Sequence, residues 1–147
     1  MRRVLMAAAV LALGASVVMA QQDVAVQQQN LMKSQGKSMY GVVLKMVKGE
    51  TPFDKAAADA ALKALADDVV KIPTVFATNP KEDVKDATFG ASQKIWQNKA
   101  DFDTKVPPVT KAIADAKFTD AASLKVAYDA IQAKCTGCHD DYRVKLK

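Results

Sequence analysis

Apolar residues recur at helical intervals along four stretches of the chain, and no stretch alternates convincingly with the two-residue period of a strand. The first stretch runs from about Asp23 to Lys48, where Val24, Leu31, Met32, Met39, Val43, Met46 and Val47 share a side and Gly49 supplies a stop. Three of its methionines, Met32, Met39 and Met46, are spaced by seven and so lie on nearly one face. The second stretch is expected to start at Thr51, with Thr51 as the cap and Pro52 at the first helical position, where proline is tolerated. Leu62, Leu65, Val69 and Ile72 continue its apolar face, and Pro73 is expected to end it. Residues 73–90 read as a connection punctuated by Asn79, Pro80 and Gly90. It is longer than helix packing needs, so it either covers something or crosses the end of the bundle.

The third helix is predicted from near Ser92 to about Lys117, with Ile95, Trp96, Lys99, Phe102 and Val106 on one side. Pro107 and Pro108 interrupt it and should kink or break it, because a proline inside a helix removes a hydrogen bond and clashes with the preceding turn. The fourth is predicted from Thr119 or Asp120 to about Lys145. Along it Leu124, Tyr128, Ile131, Cys135, Cys138 and Tyr142 step by fours and threes, the narrow seam of a helix packed against other helices. Four helices with mostly short links imply an all-α fold, an antiparallel up-down-up-down four-helix bundle in one domain.

That domain is expected to begin at Gln21. Arg2 and Arg3 precede an apolar run from Val4 to Val18, and Val18-Met19-Ala20 offers small or modest side chains to a peptidase. This is the layout of a cleaved secretory signal over residues 1–20, leaving residues 21–147 as the mature domain. The run is short for a membrane span, which needs roughly 20 apolar residues, though an uncleaved anchor is the competing reading. No other segment is apolar enough to cross a bilayer. The signal looks bacterial, and the compartment is then the periplasm. Two of the 21 basic residues leave with it, against 16 acidic ones, so the mature net charge is about +3. Lys and Asp alternate along most segments, and no basic block reads as a nucleic-acid footprint.

The chain has two cysteines and one histidine, and all three fall together as Cys135-Thr136-Gly137-Cys138-His139. This is the attachment motif of a c-type haem. Each thiol adds to a vinyl arm of the porphyrin to form a thioether, and two anchors three residues apart lie one turn from each other on the same helical face. The adjacent imidazole of His139 then serves as an iron ligand. A thioredoxin-type dithiol would need a strand-and-helix context that the pattern lacks, and a zinc site would need a fourth ligand from a carboxylate or water.

The place of the motif suggests a second ligand. His139 lies roughly 12 Å from the C-terminal end of the last helix, and Met32 lies roughly 14 Å into the first. In an up-and-down bundle these two ends are level, so Met32 and His139 would meet on opposite faces of one haem. Met39 sits about 10 Å farther along the axis, which favours Met32. Core packing is the competing role for each methionine.

The run Cys135 to Arg143 near the C-terminus, after three other helices, resembles the class II c-type cytochromes, which comprise cytochrome c prime and a low-spin branch. Tyr142-Arg143, the Trp96 region and the turn Gly49-Glu50-Thr51-Pro52-Phe53-Asp54 carry the same likeness, which spans the mature chain. The resemblance implies one covalent haem c and gives one position of the first helix, here Met32, a deciding role. Methionine there marks the low-spin His/Met branch, whereas cytochrome c prime has a non-ligating residue and five-coordinate iron. The family often has an arginine one turn earlier, where this chain has Gln28. By resemblance Arg143 approaches a propionate or the haem edge, a plain surface arginine being the alternative, and Trp96 packs in the core or against the porphyrin.

Two functions follow. With His139 and Met32 both bound, the protein is a soluble one-electron carrier that docks transiently with redox partner proteins and uses no catalytic residue. With Met32 off the iron, it is a five-coordinate protein that binds NO or CO. A haem-free metal-binding helical protein is the third reading. The resemblance admits a homodimer paired through the first two helices as well as a monomer.

Overall fold

The computed structural model of the chain describes residues 24–80 and 82–146. The expected signal segment, the expected mature start at Gln21 and the expected helix start at Asp23 lie outside these residues.

The first helix, α1, occupies residues 24–47 among those described. It is α-helical over residues 24–36, π-helical over Lys37–Val43 and α-helical again over Leu44–Val47. In the π segment the register widens by one residue, and the Leu44 N–H bonds to the Met39 carbonyl five residues back. Single π turns of this kind occur in α-helices, frequently at functional sites. Gly49, at φ 71°, takes the left-handed conformation that ends the helix.

Helix α2, Lys55–Val69, begins later than the sequence pattern predicts. Its cap is Asp54, not Thr51: the Asp54 carboxylate accepts a 3.0 Å hydrogen bond from the Ala57 N–H. The reason is tertiary. Phe53 packs edge-on against Phe118 with ring centroids 6.4 Å apart, and an extended backbone at Asp54 leaves Phe53 outside the helix. Pro73 opens a helix where it was expected to close one. It falls in the first turn of α3, Ile72–Val75, where its missing N–H costs nothing.

The third rod of the bundle is built from three pieces, α4 (Lys94–Gln97), α5 (Lys99–Thr104) and α6 (Val106–Ala114). The breaks fall at Asn98, which caps α5 through a bond from the Asp101 N–H, and at Lys105. The chain therefore breaks before Pro107 and Pro108, which sit in the first turn of α6, rather than kinking at them.

Helix α7, Ala121–Tyr142, starts at a reciprocal cap. The Asp120 carboxylate accepts from the Ser123 N–H at 2.7 Å, and the Ser123 hydroxyl oxygen accepts from the Asp120 N–H at 3.2 Å. It ends at Tyr142, three residues short of the expected Lys145, because the chain turns into a strand. Strand β2, Arg143–Lys145, pairs antiparallel with β1, Phe89–Ala91, in the register Phe89 to Lys145, Gly90 to Val144 and Ala91 to Arg143. This two-stranded ribbon is the departure from an all-helical reading. It ties the end of the long connection to the tail of the chain.

The rods form the four-helix bundle that the pattern predicts: α1 packs on α2, α2 on α6, and α6 and the end of α1 on α7. Val43, Leu65, Val69, Ile95, Leu124 and Ile131 are wholly buried at its centre. Burying one such side chain is worth about 1.5–3 kcal/mol. No described helix is long and apolar enough to cross a membrane.

Candidate functional site

A cavity of about 430 Å³ opens between the last turns of α7, the first two-thirds of α1, the segment that leads into the third rod and the rod itself. Its size lies within the range of about 300–1,000 Å³ usual for small-molecule and cofactor pockets. Helix α7 contributes Cys135, Cys138 and His139, with Tyr142 and then Arg143 at its end. Helix α1 contributes Met32 and Met39, among others, and the third rod contributes Ile95, Trp96, Phe102 and Val106.

The α7 side chains meet there for a periodic reason. Leu124 and Ile131 bury the upper seam of the helix, and the same seam carried on by threes and fours brings Cys135 and Cys138 to the cavity wall. Both cysteines are free and half-buried. Burial pushes both thiols up, that of Cys138 to about 11, with Lys105 opposing the rise and Cys135 and Asp141 adding to it. At neutral pH they are thiols rather than thiolates, unlike the depressed pKa values of a reactive dithiol. Burial, and then the nearby Arg143 guanidinium, pushes His139 down, so its imidazole is neutral at pH 7 and free to offer a lone pair. Among the described residues no group of three or more His, Cys, Asp or Glu side chains could hold a metal ion by itself.

The roof of the cavity is pinned by side-chain donors. Gln28 is buried and gives its amide to two carbonyls, those of Val75 (3.2 Å) and Thr78 (2.9 Å). Trp96 donates its indole N–H to the Phe76 carbonyl at 3.0 Å. The connection after α3 is thus held over the cavity by both. Tyr142 is buried edge-on to Phe102 at 5.2 Å, and its hydroxyl donates a short hydrogen bond to Asp101. That bond, more than burial, pushes the Tyr142 phenol up to about 12. The hydroxyl is therefore bonded to protein rather than left in water, as an exposed tyrosine tip would be.

A family model described as Cytochrome C' matches residues 23–143. The chain is 58% identical over 149 residues to cytochrome c-555 of Bradyrhizobium diazoefficiens, covering all of both chains. It superimposes on cytochrome c' of Rhodopseudomonas palustris with a TM-score of 0.74 at 35% identity, covering 85% of this chain and 98% of that one. A structural model of oxidized cytochrome c556 of the same species gives a TM-score of 0.71 at 36% identity, covering 86% and 99%. The chain belongs to the cytochrome c' family.

A cytochrome c' family protein carries one covalent haem c and works as an electron carrier or a gas binder. The residues present fit that group. The cavity is lined largely by apolar and aromatic side chains, it receives both of the chain's cysteines and its one histidine, and these are protonated thiols and a neutral imidazole.

The candidates named from the sequence mostly converge. Met32, Trp96, Cys135, Cys138, His139 and Arg143 all line this one cavity. Met39 also reaches it, although it is almost wholly buried, whereas Met46 is buried in the core away from it. Leu31 and Ile131 are core residues off the cavity wall, and Phe102 belongs to both. Arg143 gets there by a different route from the one expected. It is the first residue after α7, in extended backbone, with its guanidinium 4.5 Å from the centre of the Phe89 ring. Sequence reasoning missed Gln35, which lines the cavity one turn after Met32, and Lys105, whose ammonium pairs with Asp141 at 3.1 Å beside Cys138. The helical spacing from Met32 was a signal for Gln35. Lys105 had none, because a helix break sets its direction.

Proposed function

We propose that the protein is an exported, periplasmic one-electron carrier whose haem c is held by Cys135 and Cys138 as thioethers, with His139 and Met32 as the two iron ligands. One observation carries this reading: Met32 from α1 lines the same cavity as Cys135, Cys138 and His139 from α7. A haem saturated by imidazole and thioether supplies reversible one-electron chemistry with little rearrangement, at a potential raised by the sulfur. The chain's own contribution is positional. The cysteines fix the cofactor on α7, burial keeps His139 neutral, and the apolar wall of Ile95, Phe102 and Val106 excludes water. Gln28 and Trp96 hold the connection closed above it. Electron exchange then needs only transient contact with redox partner proteins at the cavity mouth, where Arg143 is exposed.

A five-coordinate protein that binds NO or CO is the second reading, favoured by the likeness to cytochrome c' of Rhodopseudomonas palustris. The spin state of the purified ferric protein at neutral pH separates the two. Low-spin ferric iron with slow or no CO uptake in the ferrous form is the expected result. A high-spin spectrum with ready CO uptake sinks the His/Met assignment and leaves the second reading.

A further inference from the structure

The iron ligand of the proposed reading stands in the last turn of α7. His139 is three residues from the end of the helix at Tyr142, and its carbonyl accepts from the N–H of the capping residue Arg143. Helix ends fray, and their last carbonyls lack intrahelical donors. A ligating histidine is usually steadied by a hydrogen bond from its other ring nitrogen. Among the described residues the His139 ring has no such bond; burial and the charges of Arg143 and Asp140 are what act on it. Its direction is therefore set by the backbone that carries it.

That backbone is tied down from outside the helix. The Tyr142 hydroxyl donates to the Asp101 carboxylate on α5, and the Tyr142 ring stands edge-on to Phe102 at 5.2 Å. The Tyr142 carbonyl, left without a donor by the end of the helix, accepts from the Ser92 N–H at 2.8 Å. Lys105 joins the same patch, 3.1 Å from the Asp141 carboxylate and 3.9 Å from that of Asp101. These ties run to residues 92–105, the third rod and its approach. Tyr142 is buried among them and holds by its backbone, its ring and its hydroxyl at once.

We propose that Tyr142 is a positioning residue for the iron ligand: bonded to Asp101, it fixes the terminal turn of α7 on the third rod and so aims the His139 imidazole into the cavity. The inference rests on the proposed reading that His139 binds haem iron, and is independent of Met32. Tyr142 acts through the single turn of backbone that links it to His139. A site whose ligand is held this way draws its precision from the surrounding fold, not from a bond to the ligand ring.

The test reads the iron–imidazole bond itself. The haem-loaded protein is made with Met32→Ala, so that ferrous iron keeps one axial protein ligand whatever the role of Met32, and the iron–imidazole stretching band is recorded by resonance Raman spectroscopy. Into this parent go Tyr142→Phe, which keeps the ring and removes the hydroxyl, Asp101→Ala, which removes the acceptor, the two together, and Asp101→Asn, which keeps an acceptor oxygen. The expected result is a band shifted or broadened by Tyr142→Phe and by Asp101→Ala, with no further change in the double variant, because both remove one bond. Asp101→Asn should show the parent's band. A tie that serves stability alone lowers the melting temperature and leaves the band where it was, and that outcome in Tyr142→Phe overturns the proposal. Should either single variant fail to load haem, the other carries the decision. A parent with no iron–imidazole band overturns the ligand assignment of His139, and this proposal with it, before Tyr142 is changed. A band that is present and unmoved overturns this proposal alone.

Discussion

Gln28 of α1 and Trp96 of α4 reach the same short stretch of backbone, residues 75–78, each through a side-chain N–H donated to main-chain carbonyls. The three bonds, at 3.2, 2.9 and 3.0 Å, close the segment after α3 over the cavity. Gln28 stands where the resemblance leads one to expect an arginine, and its amide does for the protein backbone what a guanidinium would do for a cofactor carboxylate.

Gln28→Leu should therefore loosen the roof rather than the bundle. It removes two hydrogen bonds, worth about 0.5–1.5 kcal/mol each, to the carbonyls of half-buried Val75 and exposed Thr78. Trp96→Phe removes one bond and should cost less, about 1 kcal/mol. Thermal denaturation checks the order. Amide exchange checks the place: protection should fall in residues 72–79 and hold at Leu124 and Ile131.

The three methionines of α1 give a second prediction. They sit at equal spacing, but Met46 is in the core off the cavity and Met39 is almost wholly buried, while Met32 is half-buried at the cavity wall. Met32→Leu should convert the ferric protein from low to high spin. Met39→Leu conserves volume, should cost less than about 1.5 kcal/mol and should leave the spectrum as it was. A low-spin Met32→Leu variant would assign the ligand elsewhere.

The reach of the sequence can be judged from particular residues. The seam from Leu124 to Tyr142 was legible because one uninterrupted helix carries it, and the cofactor motif was legible because its chemistry depends on spacing within a single turn. The cap of α2 was not, since Thr51 and Asp54 are both good caps and only the packing of Phe53 on Phe118 chooses between them. The β ribbon escaped for a related reason. Phe89–Ala91 and Arg143–Lys145 are three residues each, too short to alternate, and their pairing joins distant parts of the chain. Gly90 is the one local hint, because a side chain there would run into Asp83 and Leu146. The π turn in α1 leaves no mark in apolar periodicity, as it changes the phase by only one residue.

Stability should depend on pH through Asp68, a buried carboxylate on α2. Burial works to raise its pKa, but the Ser34 hydroxyl across on α1 and the Lys71 ammonium at 2.9 Å together hold it below the ordinary carboxylate value. A carboxyl with a depressed folded-state pKa adds stability above its unfolded value and loses it as pH falls through the folded one. The wild-type melting temperature should fall on acidification from about pH 5 to about pH 2 more steeply than that of Asp68→Asn. At pH 7 the variant should be less stable by about 1 kcal/mol, the Lys71 pairing being discounted because that side chain is half-exposed. Parallel acid profiles for the two proteins would remove Asp68 from the account.

The two cysteines should be separable. They lie one turn apart on α7 and line the same cavity, so each fixes one edge of whatever they hold. With either thiol replaced by alanine, the other still offers a covalent anchor, and His139 is untouched. Cys135→Ala and Cys138→Ala, expressed with haem-attachment machinery, should each retain one thioether and keep the haem mass on the denatured chain. The double variant should release all pigment into acid-acetone, even where the folded protein still binds it. Equal pigment retention in the denatured double variant would place the attachment on some other residue, while loss from either single variant would mean that one thioether does not survive in this pocket without the other. Mass spectrometry of the three variants under denaturing conditions decides between these outcomes without reference to electron-transfer activity.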